Sequence, residues 1–397
     1  MYDNCRPPTS LPMPLLSSQR HLFDVPDDVA FFNSATNSPL LNASRDRLLA
    51  AARSKSHPWN RTPPDFFDDA EAIRKLCAEL IGGDADGYAL VPAASYGIST
   101  AARVLEPRLR PGDEVVVIEG EFPSVVFPFK RAAAERGASL VTIATPEEDW
   151  TPAILARMGA KVKVVAISSC HWTNGAFIDL AAIARACRDV GAALVVDGTQ
   201  SIGAVPFALG EVAPDFLVAA GYKWLLFPYG VGVMHVAPKW RDSRPLEESW
   251  LTRDNAADFA ALVNYSDRYM PGARRFDGGE KCTTLLPGAI AALEQIRAWG
   301  IGNVARSLAR INARISAGLG ELGFRVPAES RRCPHMFGAQ LPKGYSGDLV
   351  GELKARNVHI SRRGSSLRFS PHVHVNDGDI ERLLSGLRAL VPRALQM

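Results

Sequence analysis

Thiols, long apolar runs and one-sided charge are all scarce in this chain. The six cysteines (Cys5, Cys77, Cys170, Cys187, Cys282 and Cys333) lie far apart, so no pair has the close spacing of a zinc or redox motif and no metal is expected. Cys77 and Cys187 fall inside helical patterns and read as buried thiols. No stretch approaches the ~20 apolar residues of a membrane span. The opening MYDNCRPPTSLPMPLL carries prolines and an acid where a secretory signal has a long apolar run, so the cytoplasm is the expected setting. The formal charge is only +3, and the basic residues are scattered. The short pairs Arg274-Arg275, Arg331-Arg332 and Arg362-Arg363 do not make a stripe, which excludes nucleic acid and membrane as expected partners. A Gly-x-Gly-x-x-Gly turn, a Walker-type loop, an internal repeat and a low-complexity tract are all missing, so nucleotide-binding and solenoid classes lose their marks.

What is present is length and rhythm. At 397 residues the chain exceeds one small core, and two unequal domains are expected. Residues 1–30 read as a Pro/Ser-rich N-terminal arm, 31–285 as a large domain and 286–397 as a small C-terminal domain. From about Phe67, helical patterns (68–81, 95–105, 124–136, 151–158, 180–190) alternate with β-branched runs (114–118, 140–143, 162–168, 194–196, 216–218). A further run covers 231–236. This alternation predicts a mostly parallel sheet with crossover helices. Apolar runs such as Val-Lys-Val-Val-Ala-Ile are those of strands buried on both faces. From 241 to 280 the rhythm stops, as in a long active-site or interface loop. It resumes with helices at 286–299 and 303–322, strands at 337–341, 358–360 and 367–369, and helices at 347–356 and 377–390.

Two residues carry the chemistry. Asp197, in Val195-Val196-Asp197-Gly198-Thr199-Gln200, leaves the C-terminal end of a buried strand. One strand later Lys223 follows Ala219-Ala220-Gly221-Tyr222 and precedes Trp224-Leu225. In an open α/β sheet the C-terminal strand ends hold the ligand, so a carboxylate and an amine meet at one crevice. A lone Asp after a strand is ordinarily a cap or loop acid, and a lone Lys among aromatics a surface residue; the pair makes those readings weak. Pyridoxal 5'-phosphate (PLP) needs such a pair. A buried carboxylate keeps its ring nitrogen protonated, and a desolvated lysine forms its Schiff base and later moves protons at the substrate Cα.

The joined motifs, Asp197–Gln200 and Lys223-Trp224-Leu225 before Pro228-Tyr229-Gly230, resemble the aminotransferase class V family over roughly Phe32 to Leu390. That family includes cysteine desulfurases, kynureninases, isopenicillin N epimerases and C–S lyases. The resemblance implies an α/β, fold type I PLP-dependent enzyme: a large domain with a mostly parallel seven-stranded sheet and a smaller C-terminal α/β domain. It implies that Gln200 bonds the cofactor phenolate and that Ala94, Ser95 and Tyr96, opening a helix, receive the phosphate. It implies that Phe122 stacks on the ring where many relatives carry histidine, and that Asn174 lies near the cofactor oxygen and substrate carboxylate. Tyr222 replaces a common histidine, and its hydroxyl is a phosphate donor. Arg368 matches the arginine that grips the substrate α-carboxylate. The 275–280 loop reaches a partner's phosphate in relatives, but Glu280 stands where a threonine is usual, leaving Lys281 or Thr283 as substitutes. A homodimer with a shared site is implied, with Trp250, Tyr265 and Tyr269 as interface aromatics. His171 and Trp172 are further candidates for the substrate pocket.

The expected activity is that of a PLP enzyme that displaces Lys223 with a small-molecule amino acid, breaks its Cα–H bond, and then β-eliminates (as a C–S lyase) or epimerises. Transamination is the alternative. A desulfurase needs a cysteine on the loop before Arg368, where the sequence is Val-His-Ile-Ser-Arg-Arg-Gly-Ser-Ser-Leu-Arg. Cys333 is the only thiol of the small domain. A non-catalytic PLP-binding regulator would carry a helix-turn-helix, which the first thirty residues cannot hold. Arg362 and Arg363 stand as candidates for a second acidic group on the substrate, set against plain surface exposure.

Overall fold

Residues 15–391 are described in a computed structural model; the first fourteen residues of the expected arm, Cys5 among them, lie outside the described residues. The strands in chain order are β1 (Ala30–Phe31), β2 (Tyr88–Val91), β3 (Glu114–Ile118), β4 (Ser139–Ile143), β5 (Val162–Ser168), β6 (Ala193–Asp197), β7 (Phe216–Ala220), β8 (Gly232–Val236), β9 (Phe337–Gln340), β10 (Val358–His359), β11 (Ser361–Arg363) and β12 (Ser366–Phe369). The helices are α1 (Asn42–Lys55), α2 (Asp68–Ile81), α3 (Ala94–Leu105), α4 (Pro123–Arg136), α5 (Trp150–Leu155), α6 (Leu180–Val190), α7 (Leu209–Val212), α8 (Leu286–Trp299), α9 (Ile301–Glu321), α10 (Leu349–Lys354) and α11 (Asp377–Leu390).

Seven strands form one sheet in the order β2-β8-β7-β6-β5-β3-β4. The pairs from β4 through to β7 are parallel, and β8 runs against both β7 and β2. The central strands are apolar throughout because both faces are covered. Along β6, Leu194 and Val196 join one hydrophobic core while Ala193 and Val195 join the core on the other face, following the two-residue period of a strand. The parallel register sets Ser168 beside Asp197 at the carboxyl edge.

The C-terminal region forms its own core around an antiparallel sheet, β11-β12-β9, with α9, α10 and α11. The N-terminal segment is bonded to it: β1 pairs with β10, and Gln19 N donates to Val373 O at 2.8 Å. Several elements differ from the sequence expectation: the short β1, β11 and α7 were not expected. Helix α1 was not expected; its single fully buried residue, Ser44, donates to Gly288 O at 2.9 Å, so its apolar stripe is too thin to read. The expected helices at 151–158 and 347–356 are the shorter α5 and α10, each begun by an aspartate cap, Asp149 and Asp348.

Candidate active site

Asp197 closes β6, and its Oδ1 accepts from Thr199 N at 2.9 Å. Thr199 Oγ1 in turn accepts from Ala220 N at 3.0 Å, which ties the end of β6 to the end of β7, three residues before Lys223. Burial raises the Asp197 carboxyl above the usual carboxylate range, against the Thr199 bonds and the Lys223 charge. Lys223 is itself 7 % exposed, and its amine is lowered to about 8 by burial, with Arg368 and Arg363 adding to the effect and Asp197 opposing it. Nζ faces the Phe122 ring at 5.6 Å from its centroid. Both side chains open on a cavity of about 230 Å³ at the carboxyl edge of the sheet.

Of the residues expected there, Ala94, Ser95, Phe122, Asp197, Gln200, Tyr222 and Lys223 line the cavity. Ala94 and Ser95 begin α3, where the leading amides have no intrahelical partner and suit an anion. Gln200 is fixed at both ends: Oε1 accepts from Trp224 Nε1 at 2.9 Å and Nε2 donates to Ala35 O at 3.0 Å. The second Nε2 hydrogen remains for a ligand acceptor. Tyr222 stacks on Tyr229 at 4.1 Å between centroids. Phe122 meets Trp172 edge to face at 5.5 Å, and Trp172 also lines the cavity, whereas His171 is stacked on Trp150 at 5.3 Å away from it.

Tyr96, Asn174 and Arg368 do not line this cavity. The Tyr96 hydroxyl turns to Glu247, and Asn174 Oδ1 caps its own turn at Ala176 N, 3.0 Å away. Arg368 lies behind the wall, fully buried; Nη1 donates to Trp172 O and Nη2 to Thr36 Oγ1, each at 2.7 Å, and Nε has no partner. Burial, then Arg363, lowers its guanidinium to about 9. Glu121, Ser168 and Thr36 are parts of the site that the sequence did not single out. Glu121 accepts from Phe122 N (2.7 Å), Ser168 N (2.7 Å) and Ser168 Oγ (2.5 Å), and burial, with Asp197 nearby, pushes it up to about 7. It thereby anchors the Phe122 backbone to the end of β5.

A buried carboxylate without a cation bonded to it, a desolvated amine, a helix start and an aromatic plate around one cavity fit a flat, protonated, phosphorylated ring. The chain matches the family described as Aminotransferase class-V over residues 49–383. It belongs to that family. It is 31 % identical over 382 residues to the isopenicillin N epimerase of Streptomyces clavuligerus, covering 91 % of this chain and 95 % of the relative. Among solved structures, the apo cysteine desulfurase of Thermococcus onnurineus NA1 superposes with a TM-score of 0.83 at 19 % identity, covering 96 % of this chain and 99 % of the other. The cystine C–S lyase C-DES, bound to its product cysteine persulfide, superposes with 0.83 at 18 % identity, covering 92 % and 99 %. The same lyase is known with glycine covalently linked to its PLP cofactor. The fold is that of fold type I PLP enzymes, and PLP is the cofactor.

As a class V enzyme the chain departs from the family at the points its sequence marked. Lys281 Nζ is paired with Asp277 Oδ2 at 3.0 Å, and the Glu280 carboxylate accepts from Trp250 Nε1 at 3.2 Å. Tyr269 is held by Glu248 at 2.8 Å, whereas Tyr265 is 82 % exposed. Cys333 is buried against Cys170. No described helix is long and apolar enough to cross a membrane.

Proposed function

We propose that this class V enzyme takes an α-amino acid, removes its Cα proton with Lys223 and expels a β-substituent. The observation that carries this reading is one desolvated amine on the cavity wall, Lys223, with one buried guanidinium behind that wall, Arg368, whose charge lowers it and which has no acidic partner among the described residues. Arg368 would hold the α-carboxylate with its remaining donors, turning the Cα–H bond toward the lysine. When bound, PLP accepts the electron pair left at Cα. Asp197 would keep the proton on the ring nitrogen, Gln200 would donate to the phenolate oxygen, and Phe122 would cover the ring and exclude water. Lys223, on the wall, is lowered to about 8 by burial, and Glu121, bonded to the Phe122 backbone, is pushed up to about 7. Asp197 is taken by the ring nitrogen, and Tyr222 is pushed well up by burial and Tyr229.

Lys223 on the cavity wall supports elimination, in which the lysine takes the proton and the leaving group departs without a second acid across the ring. Epimerisation is the second reading. It is favoured by the 31 % identity to an isopenicillin N epimerase, and it needs a proton returned from the face that Phe122 occupies. A homodimer and a cytoplasmic setting belong to the same proposal and are supported by the family resemblance.

The test begins with the visible spectrum of the purified protein, borohydride reduction and peptide mapping, which should place the adduct on Lys223. S-substituted L-cysteines should then release pyruvate and ammonia, and Lys223→Ala should lower that rate by roughly 10²–10⁴-fold. A Cα proton exchanged in heavy water with inversion, and no pyruvate, would replace elimination by epimerisation. A keto acid formed with the aminated cofactor would replace it by transamination.

A further inference from the structure

Arg363 and Arg368 converge on one hydroxyl. The antiparallel hairpin of β11 and β12 sets Arg368 opposite Ser361 and Arg363 opposite Ser366. Arg368 Nη2 donates to Thr36 Oγ1 at 2.7 Å, and Arg363 Nη2 donates to the same oxygen at 3.1 Å. The two nitrogens are therefore no further apart than those distances together. Thr36 hands its own proton to Asn33 Oδ1 at 2.8 Å, so its oxygen serves both cations as acceptor.

Like charges this close repel, and the repulsion grows as water is removed. Nothing acidic offsets it. Among the described residues neither guanidinium forms an ion pair: Arg363 Nη1 goes to the Arg362 carbonyl at 2.8 Å and Arg368 Nη1 to the Trp172 carbonyl. Arg362 takes no part, being exposed with Nε bonded to Gly364 O at 3.1 Å within the turn. The mutual repulsion shows in the chemistry of the site, since Arg363 lowers both Arg368 and the Lys223 amine after burial has done so.

An α-carboxylate brings one negative charge, and Asp197 is engaged elsewhere. A monocarboxylate would leave one of the two arginines uncompensated in a partly desolvated place, an arrangement that costs stability unless a second anion arrives.

We propose that Arg363 is a specificity residue that selects amino acids whose side chain carries a second anionic group, with Thr36 dividing the two anion sites. This rests on the role given above to Arg368 as the α-carboxylate site. The discriminating ligands are S-carboxymethyl-L-cysteine and S-carbamoylmethyl-L-cysteine, which match in size and leaving atom and differ by one charge. Each is titrated into the holoenzyme, and the change in the cofactor band gives a half-saturation value independent of turnover. The acid should half-saturate wild type at about tenfold lower concentration or less, as a charge-assisted bond predicts. Arg363→Gln should bring the acid up to the value of the amide and leave the amide where it was, while Arg363→Lys keeps most of the preference. A wild type that binds both alike, or neither, overturns the proposal without recourse to any variant. So does an Arg363→Gln enzyme in which both ligands weaken together, because Arg363 would then serve the α-carboxylate. A protein with no band on Lys223 would remove the underlying function first, and the spectrum before any ligand is added reports that outcome separately.

Discussion

A lysine in water holds its proton until about pH 10.4. Lys223 releases it near 8 because burial disfavours the ammonium and two arginines add to the penalty, with Asp197 and then Cys170 opposing. The sign is that of a depressed cation: only the free base attacks an aldehyde, so reactivity rises with pH and levels above the folded pKa. At pH 7 the free-base fraction exceeds that of an ordinary lysine by roughly two orders of magnitude. Reconstitution of the apoprotein with PLP should therefore accelerate about tenfold per pH unit below 8 and flatten above it, as stopped-flow absorbance would show. A rate still climbing at pH 9.5 would mean that Lys223 is not desolvated in this way. Asp197→Asn should leave that curve at slightly lower pH, since it removes the larger of the two charges that support the ammonium, while the bound cofactor loses its long-wavelength protonated form.

At the scale of elements, the Lys223 turn depends on a glycine far from it in sequence. Gly203 sits at φ 99° in the return from the Asp197 strand, and a Cβ there would lie 2.3 Å from Trp224 O. Gly203→Ala should push the Trp224–Leu225 peptide outward and drop cofactor occupancy several-fold while far-ultraviolet circular dichroism stays unchanged. Full occupancy would show that the turn has slack. The same locality explains what the sequence could disclose. Helices α2, α6, α8 and α11 are legible to the residue because their apolar spacing and their ends are written locally, and β3 and β5 because β-branched runs stop at polar or glycine residues. Asp197 and Lys223 are legible because each sits just past the end of such a strand. The reversed direction of β8 is not, since either direction buries the same apolar residues. Thr36, Glu121 and Ser168 are silent for a related reason. Their place in the site depends on pairings across more than thirty residues, such as Ser168 N to Glu121 and Arg368 to Thr36. Asn174 was legible as a motif, but what its side chain contacts was not, because the turn it caps is a local competitor for the same oxygen.

Over the whole molecule, the N-terminal segment, the large sheet and the C-terminal region meet at a group of buried histidines, with the Arg20–Asp379 ion pair (2.7 Å) also joining the first to the last. His372 lies against Trp224 (5.8 Å), Trp299 (6.1 Å) and Phe23 (6.4 Å), and His374 Nε2 contacts Phe31 O at 3.1 Å. His335 packs edge-on to the same Trp224 at 4.7 Å. Burial, then His374 and His335, holds His372 down to about 3; burial, with Arg20 adding and the Phe31 carbonyl opposing, holds His374 down to about 4. Both rings are therefore neutral when folded and take a proton when unfolded below about 6.5. The unfolded state then binds more protons, so stability falls as pH drops from 6.5 toward 4, by up to roughly 2.7 kcal/mol per pH unit for the pair. Over two units that loss is comparable with the whole stability of a typical protein. Thermal midpoints measured between pH 7.5 and 4.5 should fall steeply below 6.5. His372→Phe keeps the aromatic contacts and removes one of the two titrations, so its curve should have about half the slope attributed to the pair and cross above wild type in acid, even if it starts lower at pH 7.5. Parallel curves for variant and wild type would mean that acid acts elsewhere, on carboxylates such as Glu71, which Arg274 and Arg74 hold down to about 2 and whose loss begins only below the unfolded carboxylate value. The two sources are separable on the pH axis: a fall that begins near 6.5 belongs to the histidines, and one that begins near 4.5 belongs to the acids.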